Sequence, residues 1–135
     1  MAEAILREML RQKGVADAYE IASAAISNKE WGNPIYPPAA RTLRVHGIPY
    51  DAVRTARPMK AADYDRYDLI IGMDEGNLRG IRSITGGDPE GKVRLLMDFA
   101  GKHRPVADPW YTRDFETAYN DILTGCRALM QYLGF

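Results

Sequence analysis

Leu69-Ile70-Ile71-Gly72-Met73 is the stretch that decides the fold of this chain. It is nearly all apolar, as expected of a strand that is covered on both faces in a parallel sheet. The next segment, Asp74 to Ile84, places apolar residues at helical spacing. A buried strand that leads directly into a helix is the building unit of α/β proteins, so the sequence predicts a parallel sheet covered by helices.

The same alternation extends in both directions from this unit. Further helices are predicted over Ala2 to Lys13, about Pro38 to His46, Ala61 to Tyr67 and Phe115 to Leu133, and further strands over Tyr19 to Ile26 and Lys92 to Phe99. Regular alternation of strand and helix indicates right-handed crossovers in one sheet. We expect residues 1–135 to form a single domain.

Composition narrows the classes of partner. The chain has 135 residues, 46% of them hydrophobic, and 18 basic residues balance 18 acidic ones. Since there is no basic run and no apolar stretch near the roughly 20 residues that span a bilayer, we expect neither a nucleic acid nor a membrane as partner. The single cysteine, Cys126, fits a reducing compartment, which predicts a cytoplasmic protein.

Four blocks carry a family resemblance: MAEAIL (Met1 to Leu6), EWGNP (Glu30 to Pro34), MDEGNLR (Met73 to Arg79) and DPWY (Asp108 to Tyr111). In order and spacing the chain resembles the low-molecular-weight protein tyrosine phosphatases over almost its whole length. The resemblance implies a flavodoxin-like three-layer parallel sheet and phosphotyrosine hydrolysis through a cysteinyl-phosphate. The related arsenate reductases share that fold, but the DPWY block favours the phosphatases.

The resemblance also assigns candidate site residues. Asp108 matches the family's general acid, which protonates the departing tyrosinate. Stacking against phosphotyrosine would fall to Trp31, Trp110 and Tyr111. Trp31 has a second interpretation, in which its side chain only covers core surface. Lys29, two positions earlier, either attracts an anionic ligand or is a solvated surface charge.

The family's nucleophile is not found within these 135 residues. Its phosphate loop has a Cys and an Arg separated by five residues, whereas the corresponding position after Cys126 is Tyr132. Cys126 lies on the apolar face of the last predicted helix, which indicates an inert core thiol. We therefore predict that this chain is inactive, and we expect no cofactor. His46 and His103 show no metal-ligand spacing, so no metal site is predicted.

The resemblance has a structural consequence. In the family the first helix, matched here by MAEAIL, follows the first strand and the phosphate loop, so we expect that strand to be missing from the sheet. Removing about five buried apolar side chains at ~1.5–3 kcal/mol each would cost ~8–15 kcal/mol, as much as a whole domain's stability. We hypothesise that the sheet is completed by rearrangement, with the two flanking strands paired directly, or by a homodimer.

Two functions remain open from the sequence. The first is a family phosphatase whose complete form acts on a phosphotyrosine protein, the present chain being a shortened form or a product read from an internal start. The second is a pseudophosphatase, a non-catalytic dimeric scaffold that binds phosphorylated proteins. The missing nucleophile, together with the intact surrounding loops of the family, motivates the second.

Overall fold

The computed structural model of the chain describes residues 1–27 and 32–135, and of Trp110 and Tyr111 it describes the backbone only. The helices of this part are α1 (Ala2–Gln12), α2 (Pro37–Val45), α3 (Asp63–Arg66), α4 (Glu75–Thr85), α5 (Pro109–Thr112) and α6 (Phe115–Tyr132). The strands are β1 (Ile70–Gly72) and β2 (Val93–Leu95), and short 3₁₀ helices cover Ala16–Ala18 and Leu96–Ala100. No helix in these ranges has the length and apolar character needed to cross a membrane.

The sheet is small and parallel. β1 pairs with β2 so that Ile70 lies opposite Val93 and Gly72 lies opposite Leu95. α4 forms the crossover between the two strands, as the sequence predicted for Asp74 to Ile84. The strand, crossover helix and parallel partner confirm the predicted α/β class.

Neighbouring residues of β1 point to opposite faces of the sheet, which gives the molecule its layers. Ile71 packs with α1, α2 and α6 on one face, while Ile70 packs with α3 and α4 on the other. Helices therefore cover both faces of the sheet. This three-layer arrangement follows from the all-apolar sequence of β1, since a strand exposed on one side would alternate with polar residues.

The larger core lies on the α6 side of the sheet. We call it the α6 cluster; its buried members are Ile5, Leu43, Leu96, Met97, Val106, Tyr119, Ile122 and Cys126. α6 approaches the 3₁₀ segment closely at Gly125, where an added Cβ would lie 2.5 Å from Leu96 Cγ. The glycine is therefore required by the short distance between α6 and Leu96.

Two strand predictions differ from the structure. The predicted strand from Lys92 to Phe99 is too long, because the chain turns into a 3₁₀ helix at Leu96. The predicted strand over Tyr19 to Ile26 is wrong, since only Ala25 makes a ladder contact there, an isolated parallel bridge to Pro58. Strand geometry needs a continuous hydrogen-bonded partner, and the described chain supplies one at a single residue.

The hypotheses on sheet completion have different outcomes. Direct pairing of residues 19–26 with the β1 segment is not observed among the described residues, where β1 has β2 as its strand partner. The dimer hypothesis concerns a second chain and stays a prediction. The helix predictions are confirmed for α1, α2, α3, α4 and α6 with shifts of a few residues at their ends.

Candidate functional site

The carboxyl end of β1 leads into a tightly bonded turn. The side chain of Asp74 caps α4 by accepting a hydrogen bond of 2.7 Å from the backbone N–H of Asn77. The Asn77 side chain in turn accepts a 2.9 Å hydrogen bond from the N–H of Met73. Gly72 is needed beneath this turn, because a Cβ there would lie 2.9 Å from Asn77 Cβ. The MDEGNLR block thus forms a reciprocal strand-to-helix cap.

A second loop, residues 102–108, is fastened to the same end of the strand. We call it the acid loop. The N–H of Val106, a buried residue, donates to the carbonyl of Met73 at 2.9 Å. The N–H of Ala107 donates to the Asp121 carboxylate on α6, also at 2.9 Å. Arg104 forms two hydrogen bonds of 2.9 Å to that carboxylate and, as the largest cause, lowers the pKa of Asp121.

This anchoring determines where the predicted general acid lies. Asp108 follows directly after Ala107, is exposed, and precedes the short helix α5. Its carbonyl accepts a hydrogen bond of 3.4 Å from the Thr112 hydroxyl. The carboxyl ends of parallel strands are where α/β proteins bind ligands, so the structure places Asp108 at the edge of the sheet expected for a site.

The other predicted site residues are not described by their side chains. Pro109, Trp110 and Tyr111 of the DPWY block belong to α5. The positions of the Trp110 and Tyr111 rings lie outside the described part of the structure. Trp31 and Lys29 fall within residues 28–31, which lie outside the described residues altogether. Their predicted binding roles stay predictions.

The loop that follows residues 28–31 is held by its own backbone contacts. Gly32 donates to the carbonyl of Ala56 at 3.1 Å, and the N–H of Ala56 donates to the carbonyl of Asn33 at 2.8 Å. Further along, the ring of Tyr36 lies 5.8 Å from the ring of Phe115, the first residue of α6. The loop therefore reaches the segment that follows the acid loop and α5.

Tyr36 is a residue that the sequence interpretation missed. Its side chain is 40% exposed and lies beside the start of α6, three residues beyond the last residue of α5. The signal in the sequence is an aromatic residue two positions after the EWGNP block. An exposed ring at this position can stack on a ligand near α5.

Cys126 lies in the α6 cluster, as its position on the apolar face predicted. Its side chain is buried, and burial raises the pKa of the thiol to about 12. A thiol with this pKa is protonated at neutral pH and is therefore a poor nucleophile. Cys126 acts as an apolar core residue.

Both histidine rings contact neighbouring side chains. The ring of His46 stacks on Tyr119 at 3.8 Å between centroids and lies 2.8 Å from the Glu116 carboxylate. His103 lies 3.1 Å from Asp98. Within residues 1–27 and 32–135, no group of three or more His, Cys, Asp or Glu side chains is arranged to hold a metal ion.

A cavity of about 690 Å³ lies beside α1, and Asp108 is not among its lining residues. It contains an ion network in which Glu3 accepts hydrogen bonds from Ser23, Arg54 and Arg7, the last at 3.0 Å. Burial opposes ionisation of Glu3, but the bonds from Arg54 and Ser23 outweigh it and lower the pKa of that carboxyl. Because these charges satisfy one another, we interpret the network as an attachment between α1 and the segments beside it.

Comparison with known proteins decides the family. The sequence model of one protein family, the low molecular weight phosphotyrosine protein phosphatases, matches residues 1–134 of this chain. The chain belongs to this family. Among curated relatives, it is 35% identical to the low molecular weight protein-tyrosine-phosphatase YfkJ of Bacillus subtilis, covering 96% of this chain and 84% of that protein. It is 33% identical to the Drosophila melanogaster low molecular weight phosphotyrosine protein phosphatase 1, over 97% and 86%.

Solved structures of family members share the fold. The crystal structure of YfkJ has a TM-score of 0.90 at 34% identity, covering 98% of this chain and 84% of that one. The phosphatase SP-PTP from Streptococcus pyogenes gives 0.87 at 30% identity, covering 99% and 83%. The resemblance drawn from the four sequence blocks is thereby confirmed, and so is the flavodoxin-like class of the fold.

Proposed function

We propose that this member of the low molecular weight phosphatase family carries the leaving-group side of a phosphotyrosine hydrolysis site, with Asp108 as proton donor. The supporting observation is that Asp108 is exposed at the end of a loop bonded to the carboxyl end of β1. When the phosphorus–oxygen bond breaks, the tyrosinate oxygen needs a proton, which a positioned carboxylic acid supplies. We assign that proton transfer to Asp108.

The attacking side of the reaction requires a thiolate that displaces tyrosinate from phosphorus. The single cysteine of these 135 residues is Cys126, and its burial keeps it protonated. It also lies on α6 within the apolar cluster, where a phosphate ester would have to displace core side chains. We therefore propose that the 135-residue polypeptide does not hydrolyse phosphotyrosine by itself.

The test compares two purified proteins with p-nitrophenyl phosphate and a phosphotyrosine peptide. The 135-residue chain should give no turnover above the blank. A version extended upstream with a Cys, five residues and an Arg should turn over both substrates. In that version Asp108→Asn should lower kcat by about 10²- to 10⁴-fold, which is the usual contribution of a general acid.

A matched control is Asp114→Asn, which removes a nearby carboxylate that caps α6 rather than facing a leaving group. It should leave kcat of the extended version within about threefold. Turnover by the 135-residue chain that survives Cys126→Ser would contradict the proposed inactivity. An extended Asp108→Asn variant with unchanged kcat would contradict the role of Asp108.

A second candidate, a non-catalytic scaffold that works as a homodimer, is favoured by the open sheet. Among the described residues, the edge of β1 that faces away from β2 has no strand partner. Unpaired edges of this kind pair readily with another chain. We propose pairing of two copies at this edge as the alternative function.

Light scattering coupled to size-exclusion chromatography tests the alternative. A dimer that dissociates when Ile71, at the centre of β1, is replaced by Pro would support it, because proline cannot donate a ladder hydrogen bond. Circular dichroism of the same variant checks that it folds. A monomer at all concentrations would exclude the scaffold.

Two further expectations belong to the proposal. A phosphotyrosine protein is the proposed partner in either role, as substrate or as ligand. The cytoplasm is the proposed compartment, since the one cysteine of the sequence is a free thiol.

A further inference from the structure

A smaller cleft of about 460 Å³ opens between the start of α2 and the junction of α5 with α6. We call it the arginine cleft. It is lined by Pro38, Arg41 and Thr42 from α2 and by residues 113–116 from the junction. The cleft thus lies one helical turn beyond Asp108 and on the side of the acid loop where the chain enters α6.

The two arginines of the cleft differ from Arg104 in their contacts with the described residues. Arg41 and Arg113 are both exposed, and neither guanidinium has a hydrogen-bond or ion-pair partner among the residues that the structure describes. By contrast, Arg104, the arginine of the acid loop, is committed to the Asp121 carboxylate. Each guanidinium presents five donors in a planar fork that matches a carboxylate.

The acidic residues of the cleft do not compete for these donors. The Asp114 carboxylate accepts hydrogen bonds from the hydroxyl and the N–H of Thr117, which lower the pKa of Asp114. The Glu116 carboxylate bonds the ring of His46 at 2.8 Å. Asp114 is thus bonded within its own helix, and Glu116 is bonded to His46 at the end of α2, while Arg41 and Arg113 line the same cleft.

Backbone geometry holds Arg113 in place. It is the one residue other than glycine with a positive φ in the described part of the chain, at 60°, and its N–H donates to the carbonyl of Pro109 at 2.8 Å. A left-handed arginine is uncommon and costs energy, so surrounding contacts must maintain it. The Arg113 side chain therefore projects from the backbone in a different direction than it would from a residue in the right-handed helical conformation.

The spacing between the cleft and Asp108 suits a peptide. The four residues of α5 rise by about 6 Å at roughly 1.5 Å each. An extended peptide advances about 3.3 Å per residue, so two or three residues cover that distance. A substrate with its phosphotyrosine near Asp108 would place the side chain two or three residues away at the arginine cleft.

We infer that the arginine cleft binds a carboxylate side chain located two or three residues from the phosphotyrosine of a protein partner, and so selects acidic sequences. The inference rests on the proposed phosphotyrosine function for the identity of the partner. Charge complementarity carries it, since two guanidinium groups that have no partner among the described residues line the same cleft. Arg41 and Arg113 are then specificity-determining residues.

The test is an NMR titration of the full 135-residue chain with nine-residue peptides that have a central phosphotyrosine. One peptide has Glu two and three residues away on both sides, and the other has Ala there. The Glu peptide should bind about two- to fivefold more tightly per arginine engaged, the range of exposed ion pairs, and should shift the amide signals of residues 113–116. The preference should shrink as NaCl is raised.

Variants assign the effect to the cleft. Arg41→Gln combined with Arg113→Asn should remove the preference for Glu, because asparagine keeps the left-handed backbone while losing the charge. Arg82→Gln, which removes one positive charge on α4 outside the cleft, should leave the preference unchanged. Equal affinity for the two peptides, no binding of either, or a preference that survives the double variant would overturn the inference.

Matched peptides with unphosphorylated tyrosine separate this inference from the proposed function. Preference for Glu without preference for phosphate would retain the cleft, and the same result in the version extended upstream with the Cys and Arg would count against a phosphotyrosine partner. Preference for phosphate without preference for Glu would support the phosphotyrosine partner and would contradict carboxylate binding in the arginine cleft.

Discussion

The α6 cluster and the acid loop are held together by different forces. The cluster consists almost entirely of buried apolar side chains packed between α6, α1, α2 and the Leu96 segment. The acid loop, residues 102–108, is exposed for most of its length and depends on hydrogen bonds to Met73 and Asp121. Apolar packing is non-directional and sums over many contacts, whereas hydrogen bonds orient a few atoms.

Val106 belongs to both regions and connects them. Its side chain is buried in the α6 cluster, while its N–H bonds the carbonyl at the end of β1. The cluster therefore stabilises the fold. The hydrogen bonds of the acid loop fix the position of the backbone that leads to Asp108. Substitutions in the two regions should have separable effects on unfolding and on the site.

The largest effect is expected from the centre of the cluster. Leu96→Ala should lower the free energy of unfolding by ~2–5 kcal/mol, because Leu96 is fully buried and its removal leaves a cavity. Urea unfolding followed by circular dichroism measures it. At urea concentrations below the unfolding transition, the hydrogen bonds of the acid loop should persist. Slow hydrogen exchange of the Val106 amide would show this.

Gly125 offers a control for the same site. Gly125→Ala alone should destabilise by ~1–3 kcal/mol, since its Cβ would lie 2.5 Å from Leu96 Cγ. In the double variant the alanine methyl enters the space vacated by Leu96, so the combined loss should be smaller than the sum. If the destabilisation of the double variant equals the sum of the two single destabilisations, Gly125 of α6 and Leu96 are not in contact.

A smaller effect is expected where the acid loop meets α6. Asp121→Asn removes the charge that bonds Arg104 and Ala107, and should cost ~1–2 kcal/mol, discounted because Arg104 is largely exposed. Amide signals of the acid loop should shift more than those of the α6 cluster. Arg104→Gln is the matched control, because it leaves the Ala107 bond to Asp121 in place.

The same residue predicts a pH dependence. Because Arg104 lowers the pKa of Asp121 in the folded state, this carboxylate stabilises the fold above its unfolded pKa of about 3.9. That contribution is lost as pH falls through the lower folded pKa. The stability difference between the wild type and Asp121→Asn should therefore be full at pH 6 and shrink below about pH 4. A constant difference over that range would contradict the ion pair.

The cap at the carboxyl end of β1 should contribute about 1 kcal/mol. Asp74→Ala removes the acceptor for the N–H of Asn77 and should lower the free energy of unfolding by ~1 kcal/mol. Asp74→Ser should recover most of that loss. Glu75→Ala, at the neighbouring exposed position, should lower the free energy of unfolding by less than half as much as Asp74→Ala. Equal losses in the two variants would indicate that Asp74 acts through its charge at the start of α4 rather than through the capping hydrogen bond.

The smallest effect concerns the backbone of Arg113. Arg113→Gly should be more stable than Arg113→Ala by ~1 kcal/mol, because only glycine adopts a φ of 60° without a Cβ clash. Thermal unfolding of the two variants at equal concentration measures the difference. Equal stability would indicate that residue 113 does not hold the left-handed conformation in solution.

Local sequence patterns were sufficient for every described α-helix except α5 and for one strand. α1, α4 and α6 follow from apolar residues at helical spacing, and β1 follows from an uninterrupted apolar run. These patterns depend on contacts between near neighbours and on which face is buried, so they can be read from the chain alone. The burial of Cys126 followed in the same way from its place on the apolar face of α6.

The tertiary structure decided what depends on residues far apart in the chain. Residues 19–26 have strand-like composition, yet a strand requires a ladder partner, and the fold supplies one only at Ala25. The position of Asp108 depends on hydrogen bonds to Met73 and Asp121, which lie on other elements.

The sequence by itself thus determined the fold class, the family and the candidate acid, because each is expressed in local composition and in four short blocks. Only the folded chain brought Arg41 of α2 beside Arg113, since neither residue belongs to a local pattern and the cleft between them forms by packing of α2 against α6.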